Sequence, residues 1–116
     1  PLNVSAPFHS ELMNDSSRIF YNKITDIQFS DINTDVISNH KLVNYKDMHC
    51  SEYSKQLTLQ IHSPVMWSDT IKKIISSNVD SFIEIGPKKT LLNFLPRDFS
   101  GDKISITNSE EVNNYV

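Results

Sequence analysis

Glycine and cysteine are scarce in this sequence, with two glycines and one cysteine among 116 residues. With Cys50 alone there is no intrachain disulfide and no Cys-x-x-Cys zinc or redox pair. With Gly86 and Gly101 the only glycines, the Gly-x-Ser-x-Gly turn that would present a nucleophilic serine is absent. No apolar run approaches the roughly 18 residues of a membrane span, and no signal-peptide pattern opens the chain. The expected setting is therefore reducing and cytoplasmic, with no membrane partner. Positive charge is short as well: the net charge is −3 and the pI about 5.7, without a basic stripe, which argues against nucleic acid as a partner.

A chain of 13.3 kDa suffices for one compact domain with a modest core. Hydrophobic residues make up 38%, somewhat low, as in a small polar domain or a piece that buries surface against further chain. The opening at Pro1, without methionine and already in an apolar run, suggests the C-terminal part of something longer.

Apolar spacing places the elements. Leu12, Ile19, Phe20, Ile24 and Ile27 fall near one helical face and predict a helix from about Asp15 to Thr25, capped by Ser10 or by Asn14-Asp15. Asp35 to Asn39 is short and β-branched like a buried strand, and Asn39-His40 turns the chain. A helix is expected over Asp47 to Leu59, with Met48, Cys50, Tyr53 and Leu57 on its packed side, broken by Ser63-Pro64. Trp67, Ile71, Ile74, Ile75 and Val79 form the clearest apolar stripe, in a helix starting at Trp67 or Ser68. Then come a strand over Ser81 to Ile85 ended by Gly86-Pro87, a short helix over Thr90 to Leu95, and a strand over Lys103 to Thr107. Thr107 with Glu110 reads as a capping box opening a last helix to Tyr115. Alternating strands and helices favour an α/β layer with parallel strands and flanking helices.

The candidate for chemistry is His9, on the stretch Val4-Ser5-Ala6-Pro7-Phe8-His9-Ser10-Glu11-Leu12-Met13. A proline-stiffened turn between two regular elements presents an imidazole, the side chain that titrates near neutrality. Taken alone, a histidine beside an apolar segment is more often a packed or surface residue. His40, His49, His62 and Cys50 have no recognised ligand spacing, and the adjacent His49 and Cys50 are expected to point to different sides of a helix, so no metal site is predicted. Lys88-Lys89 reads as a solvated pair and Trp67 as a core anchor.

Two later stretches, Gln60-Ile61-His62-Ser63-Pro64-Val65-Met66-Trp67 and Phe82-Ile83-Glu84-Ile85-Gly86-Pro87-Lys88-Lys89, complete an ordered set with the first. The set resembles the C-terminal half of the malonyl-CoA:acyl-carrier-protein transacylases, the acyltransferases of fatty acid and polyketide synthesis. That resemblance implies the C-terminal part of an α/β-hydrolase-like large subdomain over residues 6–116, with 1–5 the end of a small ferredoxin-like subdomain or a linker. It implies transfer of malonyl from malonyl-CoA to the phosphopantetheine thiol of acyl carrier protein through a serine acyl-enzyme, with no bound cofactor. His9 would be general base and then general acid, the main-chain carbonyl of Gln60 would orient it, and Phe8 would favour malonyl over methylmalonyl. Pro7 and Lys88 depart from the Gly or Ala, and the Gly, usual in this family; Lys88 would meet a cost where the loop needs a positive φ. The serine, a glutamine loop and a malonyl-binding arginine are absent, so the chain is expected to be a fragment that is inactive alone and needs the missing N-terminal part. Alternatives are an acyl hydrolase on the same scaffold, and a non-catalytic remnant that docks a carrier protein.

Overall fold

The computed structural model describes residues 5–115, so the subdomain end or linker expected over residues 1–5 lies, apart from Ser5, outside the described residues. The elements are α1 (Asn14–Ile24), α2 (Tyr53–His62), α3 (Trp67–Ile75), β1 (Ser81–Ile85), β2 (Asp102–Ile106) and α4 (Ser109–Tyr115). Single 3-10 turns lie at Glu11–Met13, Tyr45–Asp47, Cys50–Glu52 and Leu92–Phe94. Two compact units divide the chain, Pro1–Thr70 and Ile71–Val116. No helix among the described residues is long and apolar enough to cross a membrane.

In the first unit α1 packs on α2 through small polar residues. The Ser17 hydroxyl donates to the Thr58 carbonyl at 3.1 Å, and the Ser54 hydroxyl to the Ile24 carbonyl at 3.1 Å. Ser17, Ser54 and Ile24 are buried there. Of the apolar face read from spacing only Ile24 is buried: Leu12 is 80% exposed, and Ile19, Phe20 and Ile27 are exposed with it. A serine that satisfies a neighbouring carbonyl lets two helix backbones approach without burying an unpaired hydroxyl, so the polar stripe won the interface.

Three expected boundaries move. The Asp35 to Asn39 strand shrinks to one antiparallel bridge, Ile37 with Asn44. The Asn44 side chain explains why no ladder extends: its oxygen accepts the Val36 N–H at 3.0 Å while its amide donates to Asp35 at 2.6 Å, replacing sheet pairing by local bonds. The next helix starts at Tyr53 and not Asp47, because the His49 ring nitrogen Nδ1 accepts the Ser51 N–H and opens a separate 3-10 turn. It also runs on to His62, past Leu59. Tyr53 anchors this region, edge-on to Tyr45 at 5.4 Å and to Phe29 at 5.9 Å, with its hydroxyl donating to the Tyr45 carbonyl at 3.1 Å.

In the second unit β1 and β2 pair in parallel, Ser81 opposite Asp102 through Ile85 opposite Ile106. Gly101 is required at the entry to β2, since a Cβ there would collide with the Asp80 carbonyl and the Phe99 ring. Phe99 stacks edge-on against Phe82 at 4.9 Å. α3 ends at Ile75, leaving Val79 beyond the helix whose stripe it was expected to extend, and Asn78 takes a left-handed φ of 59° after it. The helix expected over Thr90 to Leu95 is only the 3-10 turn Leu92–Phe94. The cap of α4 is Asn108 and not Thr107, and the Glu111 carboxylate reaches the residue before that cap. Asn108 Oδ1 accepts the Glu111 N–H at 3.0 Å, while the Glu111 carboxylate takes the Thr107 N–H at 2.6 Å.

The Glu84 carboxylate gathers the loop after β1. It accepts backbone N–H groups from Thr90 at 3.0 Å, Leu91 at 2.9 Å and Leu92 at 3.0 Å, and these bonds hold its carboxyl below the usual carboxylate value. A lowered folded-state value means that the stabilisation is complete above the ordinary carboxylate range and lost as pH falls through the folded-state value. Glu84→Gln is therefore expected to lower the melting temperature at neutral pH, with the gap to the unaltered protein closing as the solution is acidified. A gap independent of pH in thermal melts would contradict this role.

Candidate active site

The stretch around His9 is tied down one bond at a time. The Phe8 N–H donates to the Ala6 carbonyl at 2.8 Å, closing a three-residue turn about Pro7, whose ring fixes φ close to what such a turn needs. The Ser10 hydroxyl returns to the Pro7 carbonyl at 2.7 Å. Between them His9 has a φ of 59°, in the left-handed region that a side-chain-bearing residue enters at a cost.

Two carbonyls at the end of α2 hold it there. The His9 N–H donates to the Ile61 carbonyl at 3.2 Å, and ring Nδ1 lies 2.9 Å from the Gln60 carbonyl oxygen. A carbonyl oxygen only accepts, so Nδ1 carries the proton and, in the neutral ring, Nε2 keeps its lone pair. His9 is exposed. The arrangement is a pre-oriented base with one nitrogen anchored and the other available.

Pro64 explains why the Gln60 carbonyl is free. In a continuing helix that oxygen would accept the N–H of the residue four ahead, which is Pro64 and has none. Ser63 before it is extended, φ −105° and ψ 146°, as residues preceding proline prefer. Two further bonds set the position of this helix end: the Gln60 side-chain amide donates to the buried Tyr45 hydroxyl at 2.8 Å, and the Met66 N–H to the Asn39 carbonyl at 2.6 Å. The Gln60 side chain thus helps hold the helix end whose carbonyl its main chain offers to His9. Burial pushes the Tyr45 phenol up, so it stays a neutral partner.

The other residues singled out by sequence fall as follows. Phe8 is 56% exposed, and Trp67, expected as a core anchor, is half-buried. Lys88 is not among the described residues with positive φ, so its replacement of glycine carries no backbone strain there. Ring Nδ1 of His62 donates to the Ser17 hydroxyl at 2.9 Å, inside the helix crossing. His40 is buried, bonded through Nδ1 to the Ser38 hydroxyl at 2.8 Å, and burial depresses its basicity. His49 and Cys50 do not diverge as expected for a helix. Their donor atoms and that of Asp31 lie within 4.8 Å of one another, because the two residues open a 3-10 turn instead. Burial and the adjacent Asp31 push the Cys50 thiol up, which makes it a poor nucleophile.

Sequence reasoning missed Pro64 as the agent that frees a carbonyl, Tyr45 as the support of Gln60, and Asp31. The four-residue interval from Gln60 to Pro64 was a readable signal for the first. The other two depend on long-range packing and left none.

No family model matches the chain. The malonyl CoA-acyl carrier protein transacylase of Bacillus subtilis strain 168 is 36% identical over 91 residues, covering 78% of this chain and 28% of that protein. The crystal structure of the malonyl CoA-acyl carrier protein transacylase from Clostridium perfringens superposes with a TM-score of 0.84 at 30% identity, over 98% of this chain and 36% of that one. A malonyl-transacylase in complex with its type II polyketide synthase acyl-carrier protein shares the fold, with a TM-score of 0.83 at 22% identity, over 98% of this chain and 37% of that chain. By fold, then, the chain is α/β, with the architecture of the transacylase structures on which it superposes. The family it matches, over the C-terminal half, is that of the malonyl CoA-acyl carrier protein transacylases. It spans about a quarter to a third of the length of these curated relatives.

Pro64→Ala supplies the missing N–H and relaxes Ser63, offering the Gln60 carbonyl a helical partner. Nitrogen NMR of the His9 ring should show the Nδ1–H tautomer lose ground by about 1 kcal/mol, or roughly fivefold in population. An unchanged tautomer ratio in the folded variant would refute the account.

Proposed function

We propose that the protein carrying this chain transfers a malonyl group from malonyl-CoA to the phosphopantetheine thiol of an acyl carrier protein, through a serine acyl-enzyme, with His9 as the proton shuttle. The observation that carries this reading is the 2.9 Å bond from His9 Nδ1 to the Gln60 carbonyl, which leaves Nε2 as the accepting nitrogen. The serine comes from polypeptide outside this chain: there is no Gly-x-Ser-x-Gly turn here, and the relatives are about three times as long.

In the first half-reaction Nε2 takes the hydroxyl proton as the serine oxygen attacks the thioester carbonyl. His9 then gives that proton to the departing CoA sulfur. The carrier-protein thiol repeats the sequence in reverse on the acyl-serine. The Gln60 carbonyl stands where a serine hydrolase uses a carboxylate. It orients the ring and fixes the tautomer without adding a full negative charge. The ring that gains a proton faces the C-terminal end of α2, whose partial negative charge is a favourable partner.

Phe8, next in sequence to His9 and exposed, is assigned to the wall of the acyl pocket, where its ring takes the space of an α-methyl group. The names of the relatives, and the carrier protein in complex with a transacylase of this fold, support acyl carrier protein as partner. The exposed apolar side chains of α1 fit burial against the remainder of the longer protein. Malonyl-CoA enters as substrate, no resident cofactor is needed, and the reaction is assigned to the cytoplasm.

In the intact protein, His9→Ala is expected to slow malonyl-enzyme formation, followed by mass spectrometry, by about 10²–10⁴-fold. An unaltered rate would remove His9 from the mechanism. Phe8→Ser should erode discrimination against methylmalonyl-CoA, by no more than the roughly 10–200-fold that one methyl group commands, with malonyl turnover largely retained. Equal selectivity before and after would return Phe8 to a purely structural part.

A further inference from the structure

The segment that follows α1 and the turn that opens α2 meet at three metal-ligating side chains. Asp31 comes from the first, His49 and Cys50 from the second, and their donor atoms lie within 4.8 Å of one another. The Cys50 N–H donates to Asp31 Oδ1 at 3.2 Å, so the carboxylate is already locked against the cysteine. Cys50 also lines a cavity of about 380 Å³ with Thr25, Ile27, Gln28, Phe29, Ser51 and Ser54.

We propose that Asp31, His49 and Cys50 form a three-ligand site for a borderline-soft divalent cation of the zinc class. The donor set decides the class. Thiolate with imidazole selects zinc-like ions, and a single carboxylate is too few oxygens for calcium or magnesium. Around one tetrahedral ion with bonds of about 2.0–2.3 Å, ligand atoms sit roughly 3.3–3.8 Å apart, so the three donors need only converge slightly from where they stand. The cation replaces the Cys50 thiol proton, which leaves to solvent as the sulfur–metal bond forms. Two of the three ligands, Asp31 and His49, are exposed, so the fourth position is open to water. The bound ion clasps the irregular segment after α1 to the start of α2. This site is independent of the proton shuttle at His9.

Cobalt(II) titrated into the metal-stripped intact protein is the probe, since a cobalt–thiolate bond gives a near-ultraviolet charge-transfer band that oxygen and nitrogen ligands do not. One equivalent should develop the band, zinc(II) should abolish it by competition, and Cys50→Ser should lack it. Asp31→Asn keeps an acceptor for the Cys50 N–H, and its loss of a direct ligand should weaken binding at least about tenfold, the lower end of what even outer partners are worth. Zinc should also raise the melting temperature of the unaltered protein and not of Cys50→Ser, whose circular dichroism and malonyl transfer should be unchanged. A band that persists in folded Cys50→Ser, no band at all, or unaltered affinity in Asp31→Asn would overturn the site.

Discussion

A proline that cannot donate governs the geometry of this chain. Because residue 64 has no N–H, the Gln60 carbonyl at the end of α2 has no helical claimant, and the imidazole of His9 takes it at 2.9 Å. The neighbouring carbonyl of Ile61 takes the His9 N–H. One helix end therefore fixes both the backbone and the ring of one residue. That residue's left-handed φ is the sign that it would not rest there unaided.

Magnitudes show why several bonds converge on so short a stretch. A left-handed non-glycine residue costs on the order of 1–3 kcal/mol, while one net hydrogen bond returns about 0.5–1.5 kcal/mol. A single contact from His9 to α2 would leave the conformation marginal. The turn closed on Ala6, the Ser10 hydroxyl on Pro7 and the two bonds to α2 together exceed the cost. The same holds one layer out. α2 holds His9 only as firmly as α2 itself is held, by the Ser17 and Ser54 hydroxyls against α1 and by Tyr45 and Tyr53 beneath Gln60.

What could be read in advance divides along a physical line. The Ser81–Ile85 strand, its partner near Lys103, the break at Ser63-Pro64 and the helix after Asn14 were legible because each rests on local signals: β-branched runs, a proline, a helical repeat. The pairing of His9 with Gln60, 51 positions apart, was reached through a family resemblance and not from any local pattern. Where reading failed, a side chain outcompeted a pattern. Asn44 displaced a strand, His49 delayed a helix, and two serines bond across the α1–α2 contact while most of the apolar face around α1 stays exposed. The proximity of Asp31 to Cys50 could not be read at all, since it arises where an irregular segment folds back on a 3-10 turn.

The exposed apolar face of α1 bears on the site. Among the described residues seven hydrophobic side chains are buried, whereas fifteen large ones are exposed, from Leu12 in the turn before α1 and Ile19 on α1 to Ile85 on β1, which is 77% exposed. At about 25 cal/mol per Å² of apolar surface, that outward surface is driving force not yet used within the chain. The interior that supports His9 is instead mostly directional, built from serine, tyrosine and asparagine bonds that set position more than they supply stability. A scaffold of this kind suits a shared active site. Hydrogen bonds within the chain set where the imidazole stands, and the apolar surface left open on its elements is, under the proposed function, where the polypeptide carrying the nucleophile would pack. Positioning and adhesion are thereby carried by different residues.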